Sequence, residues 1–372
     1  MIEYIEVRGS NTDVIGIIDV SKSVIWHGVY FGVGDFEIIV SATPGNVSLL
    51  QAGRYVTRPD NDDVGIIEKL YIPETIEAGA TITASGRFVK SVLDRRLIYN
   101  LTGHSNKATI LRGNVEAAVR EVVKNNAINC PFDSKRNIPL LELGTVANIP
   151  LKIVDDNGNV AEKQVSYENL LTYTDGVLEE YGLSSKCILQ NGVFAYVVFN
   201  GVDRSTDNTN GNMPVVFSKD FDNLTSSEYT YDTTLEKNVA LIGGEGEGID
   251  RFYSLLEKAE SGLQRREVFI DAGSISKKYK DEADVEQTYT DEQYKTMLNA
   301  KGKQDIATLV KVETFNGVVD ITNGNYVLGR DFTLGDIVTV QNNTIGVYIN
   351  VRINEVLEYQ DENGYAVEVK YQ

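Results

Sequence analysis

Between Ile345 and Tyr371 apolar and polar residues alternate so regularly that one backbone conformation accounts for them. Ile345, Val347, Ile349, Val351 and Ile353 interleave with Gly346, Tyr348, Asn350, Arg352 and Asn354. Successive side chains of a strand point to opposite faces, so this segment reads as one long half-buried strand. Val367, Val369 and Tyr371 supply its partner across Asn363-Gly364, a dipeptide that accepts the positive φ angles of a tight hairpin turn. A second hairpin follows the same logic: Lys186–Gln190 and Val193–Phe199 are joined by Asn191-Gly192.

The chain begins in the same style. Val24-Ile25-Trp26, Phe36–Val40, Gly65–Tyr71 and Ala80–Ala84 are short β-prone runs separated by Gly, Pro, Asn and Asp. That spacing suggests a barrel or sandwich over residues 1–105, with a short helix near Val89–Leu93. The period then changes. Val115, Ala118, Val119, Val122 and Val123 form one helical stripe behind Asn114, a good N-cap. Ser166 is expected to open a second helix, with Tyr167, Leu170, Leu171, Thr174, Leu178 and Tyr181 on one face and Gly182 as its stop. Residues 106–205 thus read as an α/β segment, and the polar, turn-rich stretch Asp203–Asn212 as a linker. Thr290-Asp291-Glu292-Gln293 is a capping box opening a helix that Gly302 should close. With the acidic run Asp281-Glu282-Ala283-Asp284 it makes residues 276–302 an insertion between strands. The expected fold class is β-rich α+β.

Charge limits the partners. The 372 residues include 54 Asp and Glu against 35 Lys and Arg, a formal net charge of −19. Affinity for a nucleic-acid backbone requires clustered positive charge, so an acidic chain repels DNA. Met1–Glu6 lacks the basic and apolar regions of a signal peptide, and no apolar run reaches the ~20 residues of a membrane span. Cys130 and Cys187 are too few for a disulfide framework and read as two buried thiols made in a cytoplasm.

Chemistry is sparse. Gly243-Gly244-Glu245-Gly246-Glu247-Gly248 lacks the Gly-Lys-Ser/Thr of a phosphate loop, and its two glutamates would repel a pyrophosphate, so it reads as a turn or interface loop. Ser274-Ile275-Ser276-Lys277 fits a Ser-x-x-Lys pattern without the partner motifs of that enzyme class. His27 and His104 do not form a ligand pair. Asp60-Asn61-Asp62-Asp63 could meet calcium but lacks the length and distal Glu of an EF-hand, and reads as a solvated turn. No catalytic residue, cofactor or metal is expected.

Arg95-Arg96 and Arg265-Arg266-Glu267, the latter leading through Val268-Phe269-Ile270 to Asp271, read equally as joints or as exposed surface pairs worth ~0–1 kcal/mol. Arginine forks grip carboxylates in bidentate fashion. Strand alternation would send Arg265 and Arg266 to opposite faces, so that one of them, but not both, sits in a buried pair. The interface candidates are Arg95, Arg96, Gly243, Gly244, Glu245, Arg265, Arg266, Glu267 and Asp271.

An ordered series of motifs resembles a known family. It runs through Ser23–Trp26, Gly34–Glu37, Val64–Glu68, Ser85–Phe88 with Arg95-Arg96, Gly243–Gly246, Arg265–Ala272 and Leu334–Val338. It resembles the tail hub proteins of long-tailed phages and prophages, similar to the N-terminal hub part of tail-associated lysins and, in fold, to the baseplate hub of contractile tails. The resemblance implies two tube-like β-barrels per chain, residues 1–105 and residues 206–275 with 303–372, and a homotrimeric ring at the distal end of the tail tube. It implies a place in the virion tail tip, with a distal tail or tube protein ring, a tape measure protein and tail fibre or receptor-binding proteins as partners. DNA would pass through the lumen without binding. Because the sequence ends at Gln372 just after its last strand, no lytic region is expected in this polypeptide. A receptor- or glycan-binding tail module is the alternative.

Overall fold

Strand pairing joins the two ends of the chain. The computed structural model describes residues 2–75, 79–101, 107–154, 158–257, 260–280, 284–319 and 326–372. In its eleven-stranded sheet the main path runs Leu224–Asp232, Val312–Val319, Gly364–Tyr371, Val347–Asp361, Ser23–Val29, Asp35–Ser41, Gly79–Arg87, Lys69–Tyr71. Val347–Asp361 lies antiparallel to Ser23–Val29, with Glu358 opposite Trp26. Strands from before residue 105 and from after residue 303 therefore share one sheet. A seven-stranded sheet runs Leu141–Leu143, Val193–Phe199, Ser184–Gln190, Asn61–Ile66, Tyr55–Arg58, Ile5–Arg8, Val14–Ile18, so the α/β segment joins the N-terminal strands through the bridge Ile188↔Asp63. The architecture is β-rich α+β, and each sheet runs from edge to edge with no closing pair among the described residues.

Local signals explain the helices. Asn114 Oδ1 accepts from Ala117 N at 2.9 Å, and Val115–Val123 buries its valine stripe. The second helix is Leu170–Glu180 and starts later than Ser166. Asn169 outcompetes Ser166 as cap because its side chain accepts from Thr172 N at 3.1 Å, while Tyr167 sits at φ 65° and donates its N–H to Ile98 O. The capping box at Thr290 and Gln293 is present, but its helix runs through Gly302, which is buried, to Ile306. Asn191 and Gly192 take φ values of 52° and 80°, the geometry their hairpin turn requires.

Four hydrophobic clusters result. The helices 115–123 and 170–180 pack on the hairpin 184–199 and on Val64, Ile66, Val89, Val92 and Leu93. Trp26, Phe36 and Ile38 centre a second cluster, and Phe217, Phe315 and Tyr371 a third. The fourth belongs to a small unit in which Val239–Gly243, Tyr253–Glu257 and Glu267–Asp271 pair among themselves and pack on helix Asp291–Ile306. Asp203–Asn212 is a docked loop and not a linker. Asn208 Nδ2 donates to Ser205 O, Asn212 Nδ2 to Asp203 O, and Thr206 N to Thr339 Oγ1.

This loop begins at a crowded corner. Asp336, fully buried, accepts from Val202 N at 2.8 Å, Arg204 Nε at 2.9 Å and Thr333 N at 3.0 Å. The backbones approach so closely that a Cβ on Gly201 would lie 1.7 Å from Gly335 O. Gly201→Ala should therefore destabilise the protein by about 3 kcal/mol, the upper end for overpacking, whereas Gly45→Ala, whose Cβ would meet only Thr43 Oγ1 at 3.8 Å, should not add a clash. Denaturant melts of the two variants check this, and equal stability would contradict the corner's role.

Candidate functional site

The structure separates the two arginines of Arg265-Arg266 as strand alternation requires, but buries neither. Both precede the strand, which begins at Glu267. Arg265 donates from Nη1 to Glu257 at 2.9 Å and from Nε to Glu267 at 2.6 Å, spanning the central strand on the solvent side. Arg266 turns the other way, to Thr233 Oγ1 at 3.1 Å and Glu236 at 3.3 Å. Their side chains are 30% and 31% exposed, so the expected single buried pair is replaced by two solvent-facing clamps.

The glycine-rich loop is shaped by close contacts. A Cβ on Gly243 would lie 2.6 Å from Arg251 Nε, and one on Gly244 would lie 2.6 Å from Tyr294 Oη. Arg251 fills the space above Gly243, donating to Gly244 O and Gly243 O at 3.0 Å each and pairing with Asp271. Tyr294 Oη accepts from Glu245 N at 2.7 Å and donates to Ile275 O at 2.6 Å. Glu245 in turn accepts from Lys277 N at 2.9 Å. The loop's donors and acceptors are thus spent on holding the sheet to its helix. Lys277 Nζ meets Asp291 at 2.5 Å and lies over Phe252, which directs it to the helix N-terminus.

Arg95 and Arg96 do different work. Arg95 reaches Glu68 only at 3.4 Å, and Arg87 holds that carboxylate through bonds of 2.9 and 3.0 Å. Arg87's hydrogen bonds hold the Glu68 carboxyl below its ordinary range. Arg96 clamps no carboxylate: Nε donates to Arg136 O at 2.6 Å and Nη1 to Arg95 O at 2.9 Å.

The strongest joint was not among the sequence candidates. Arg58, its side chain 1% exposed, donates to both oxygens of Glu358 at 2.9 Å and to both of Asp60 at 3.0 and 2.7 Å. Tyr365 Oη donates to Glu358 Oε2 at 2.5 Å, and the guanidinium lies 5.6 Å from the Trp26 ring centroid. Burial opposes Arg58's charge, but the bonds to Asp60 and Glu358 prevail and raise its pKa. Burial likewise pushes the Asp60 carboxyl up, and Arg58 more than reverses this. Burial and then the Glu358 charge raise the Tyr365 phenol. One sequence signal pointed here. Alternation breaks between Ile353 and Val356, where the register shifts, and the change of phase carries Glu358 to the buried face.

A cavity of about 920 Å³ adjoins this network and is lined by Trp26, Asp63, Lys90, Cys187 and Asp336 among others. Asp60-Asn61-Asp62-Asp63 is a solvated turn only at its start, since the Asp60 and Asp62 side chains stay exposed while the run continues as a strand. Asn61–Ile66 is a strand, Asp60 belongs to Arg58, Asp62 lies 3.6 Å from Lys186, and burial raises the Asp63 carboxyl. Lys90 pairs with Asp175 at 2.9 Å, and burial pushes the Cys187 thiol up to about 12. Both cysteines are free and buried. His27 bridges Asp35 at 3.2 Å and Glu355 at 2.9 Å across three strands, whereas His104 and Asp281–Ala283 lie outside the described residues. No group of three or more His, Cys, Asp or Glu among the described residues could hold a metal ion. No described helix is long and apolar enough to cross a membrane.

The architecture that carries these joints is one already seen in other proteins. Residues 4–371 match the family described as Siphovirus ReqiPepy6 Gp37-like protein. The chain belongs to that family. Three solved structures share the fold of this Gp37-like chain over nearly its whole length. The tail protein from Neisseria meningitidis MC58 has a TM-score of 0.59 and 13% identity, covering 99% of this chain and 95% of that one. The prophage MuSo2 43 kDa tail protein from Shewanella oneidensis gives 0.58 and 12%, covering 100% and 98%. The prophage tail protein gp18 from Listeria monocytogenes EGD-e gives 0.51 and 14%, covering 99% and 94%. At these identities the likeness is one of fold. No curated protein sequence matches the chain. The chain thus belongs to a siphovirus protein family and shares its fold with these three tail proteins.

Breaking the buried pair should be costly. Arg58→Ala strands Glu358 without its guanidinium and should destabilise by ~3–5 kcal/mol, whereas Arg265→Ala and Arg266→Ala should both melt close to wild type. Denaturant melts of the three variants decide it, and a sharp loss in either of the latter two would contradict the exposed placement.

Asp63 gives a pH test. Its folded carboxyl holds the proton above the ordinary 3.8, so the contribution to stability is present below that value and is lost as pH rises through the folded pKa. Asp63→Asn should therefore raise Tm at neutral pH and give no gain below pH 3.8. A Tm lowered at neutral pH would show that the carboxylate is stabilising.

Proposed function

We propose that this chain is a tail hub: a structural component forming a homotrimeric ring at the distal end of the tail tube, within the virion tail tip. The observation that most supports the reading is the shared sheet. Ser23–Val29 lies beside Val347–Asp361, which gives a ring subunit one continuous wall, and Arg58 at the end of Tyr55–Arg58 in the seven-stranded sheet holds Glu358 of that wall. In this reading residues 1–105 form one tube-like barrel domain and residues 206–275 with 303–372 the other, each closed by neighbouring subunits in the ring. Residues 106–205 stand outside as the α/β domain, with 276–302 as an insertion. Free strand edges at Leu224–Asp232, Lys69–Tyr71 and Val14–Ile18 suit such closure, because an edge presents unpaired N–H and C=O groups.

The partners in this reading are a distal tail or tube protein ring, a tape measure protein, and tail fibre or receptor-binding proteins. A chain of net charge −19 suits a DNA path that must not trap its cargo. The role is structural and needs no catalytic group. Light scattering over a range of concentrations should give threefold mass, and imaging of native tails should place threefold density at the tip. A strict monomer in native tail tips would overturn the reading.

A further inference from the structure

The three-stranded unit covers only one of its faces. Ala240, Ile242 and Ile270 point to helix Asp291–Ile306, where Tyr294, Met297 and Leu298 bury them. On the other face the register sets Leu255, Leu241 and Phe269 side by side across the three strands. They are 44%, 42% and 51% exposed, and Tyr253, one pair further along, is 48% exposed. Two short turns frame this row at opposite ends, Gly248-Ile249-Asp250 and Gly262-Leu263-Gln264, each followed by an arginine. Their apolar residues are wholly outside, Ile249 at 100% and Leu263 at 96%.

The rim has a sign. Arg265 serves both Glu257 and Glu267, Arg251 serves Asp271, and Glu247 and Asp250 stand on the turn beside Ile249. Among the described residues, the three carboxylates on this face and the two exposed ones on the adjoining turn stand against two guanidiniums. An apolar centre within a polar rim is the anatomy of a protein interface, and complementary charge selects what enters it. A second copy of the chain would bring the same excess of carboxylates against this one. An added strand would seek the sheet's edges. What a pleated apolar face takes is another layer, as the helix already provides on the opposite side.

We propose that the face bearing Leu241, Leu255 and Phe269 docks an amphipathic helix of a partner protein, with apolar residues on one side and lysines or arginines along its flanks. Ile249 and Leu263 grip its two ends, and the flanking cations meet Glu257, Glu267 and Asp271. This surface requires nothing of the ring reading and is testable on the chain in solution.

The test is a titration of the full chain with an amphipathic peptide carrying leucines at helical spacing and lysines elsewhere. The same peptide with glutamates for lysines serves as control. The expected result is binding of the lysine peptide that weakens at least tenfold in Leu255→Ser/Phe269→Ser and in Glu257→Lys/Glu267→Lys. Binding should also weaken with added salt, and the glutamate peptide should bind at least tenfold less. Should the first variant unfold in a thermal melt, Ile249→Ser/Leu263→Ser, altering residues with no packing to lose, carries the same expectation. Absence of binding overturns the proposal, as does equal affinity of wild type and folded variants, which would reflect net charge alone. Self-association abolished by the face variants would assign the surface to a second copy and overturn it too.

Discussion

The fold depends on the buried contact between Arg58 and Glu358. The pair unites residues 300 positions apart, and both partners are almost wholly removed from water. Desolvating two charges costs nearly what their attraction returns, so the pair's value lies less in net stability than in what it forbids. A one-residue slip of the strand 347–361 against Ser23–Val29 would carry Glu358 to the other face and leave Arg58 facing apolar side chains. Asp60 and Tyr365 complete the geometry, so a misregistered sheet would strand four polar groups rather than two. The ion pair therefore acts as a register lock for the sheet in which the two ends of the chain meet.

Outward from that lock, the molecule divides its polar chemistry by depth. At the Gly201–Gly335 corner, Asp336 accepts three bonds with no exposure, fixing the turn that leads into the C-terminal strands. In the peripheral unit the arginines lie at the surface and clamp acids across an open sheet. Interior pairs determine which strands meet, and surface pairs trim what the sheet presents.

Local order was legible in the sequence because its causes are local. The alternation at 347–353, the Asn191-Gly192 turn, the Asn114 cap and the Thr290–Gln293 box each involve residues within a few positions of one another. Ile345 and Gly346, by contrast, fall in the turn before the strand, and the last hairpin turns at Glu362-Asn363 rather than Asn363-Gly364. What escaped depended on distant partners. Ser166 lost the helix start to Asn169 because Ile98 draws the Tyr167 backbone into a bridge-like contact. Gly302 does not end its helix because the chain there is packed on Ile242. Arg265 and Arg266 promised a buried pair, yet the residue that is buried, Arg58, stands next to a proline and an aspartate that read as a surface turn. The break of phase at Ile353 and Val356 was the one local mark of where Glu358 would point.

The central claim is that the two ends of the chain fold as one unit because this pair locks them. Native-state hydrogen exchange tests it most directly. The account predicts that amides of Ser23–Val29 and Val347–Asp361 open with a common free energy, and that Glu358→Gln lowers both together while amides of the helix Asp291–Ile306 keep theirs. If the N-terminal strands open separately from the C-terminal ones, or if Glu358→Gln leaves both unchanged, the lock is not what joins them.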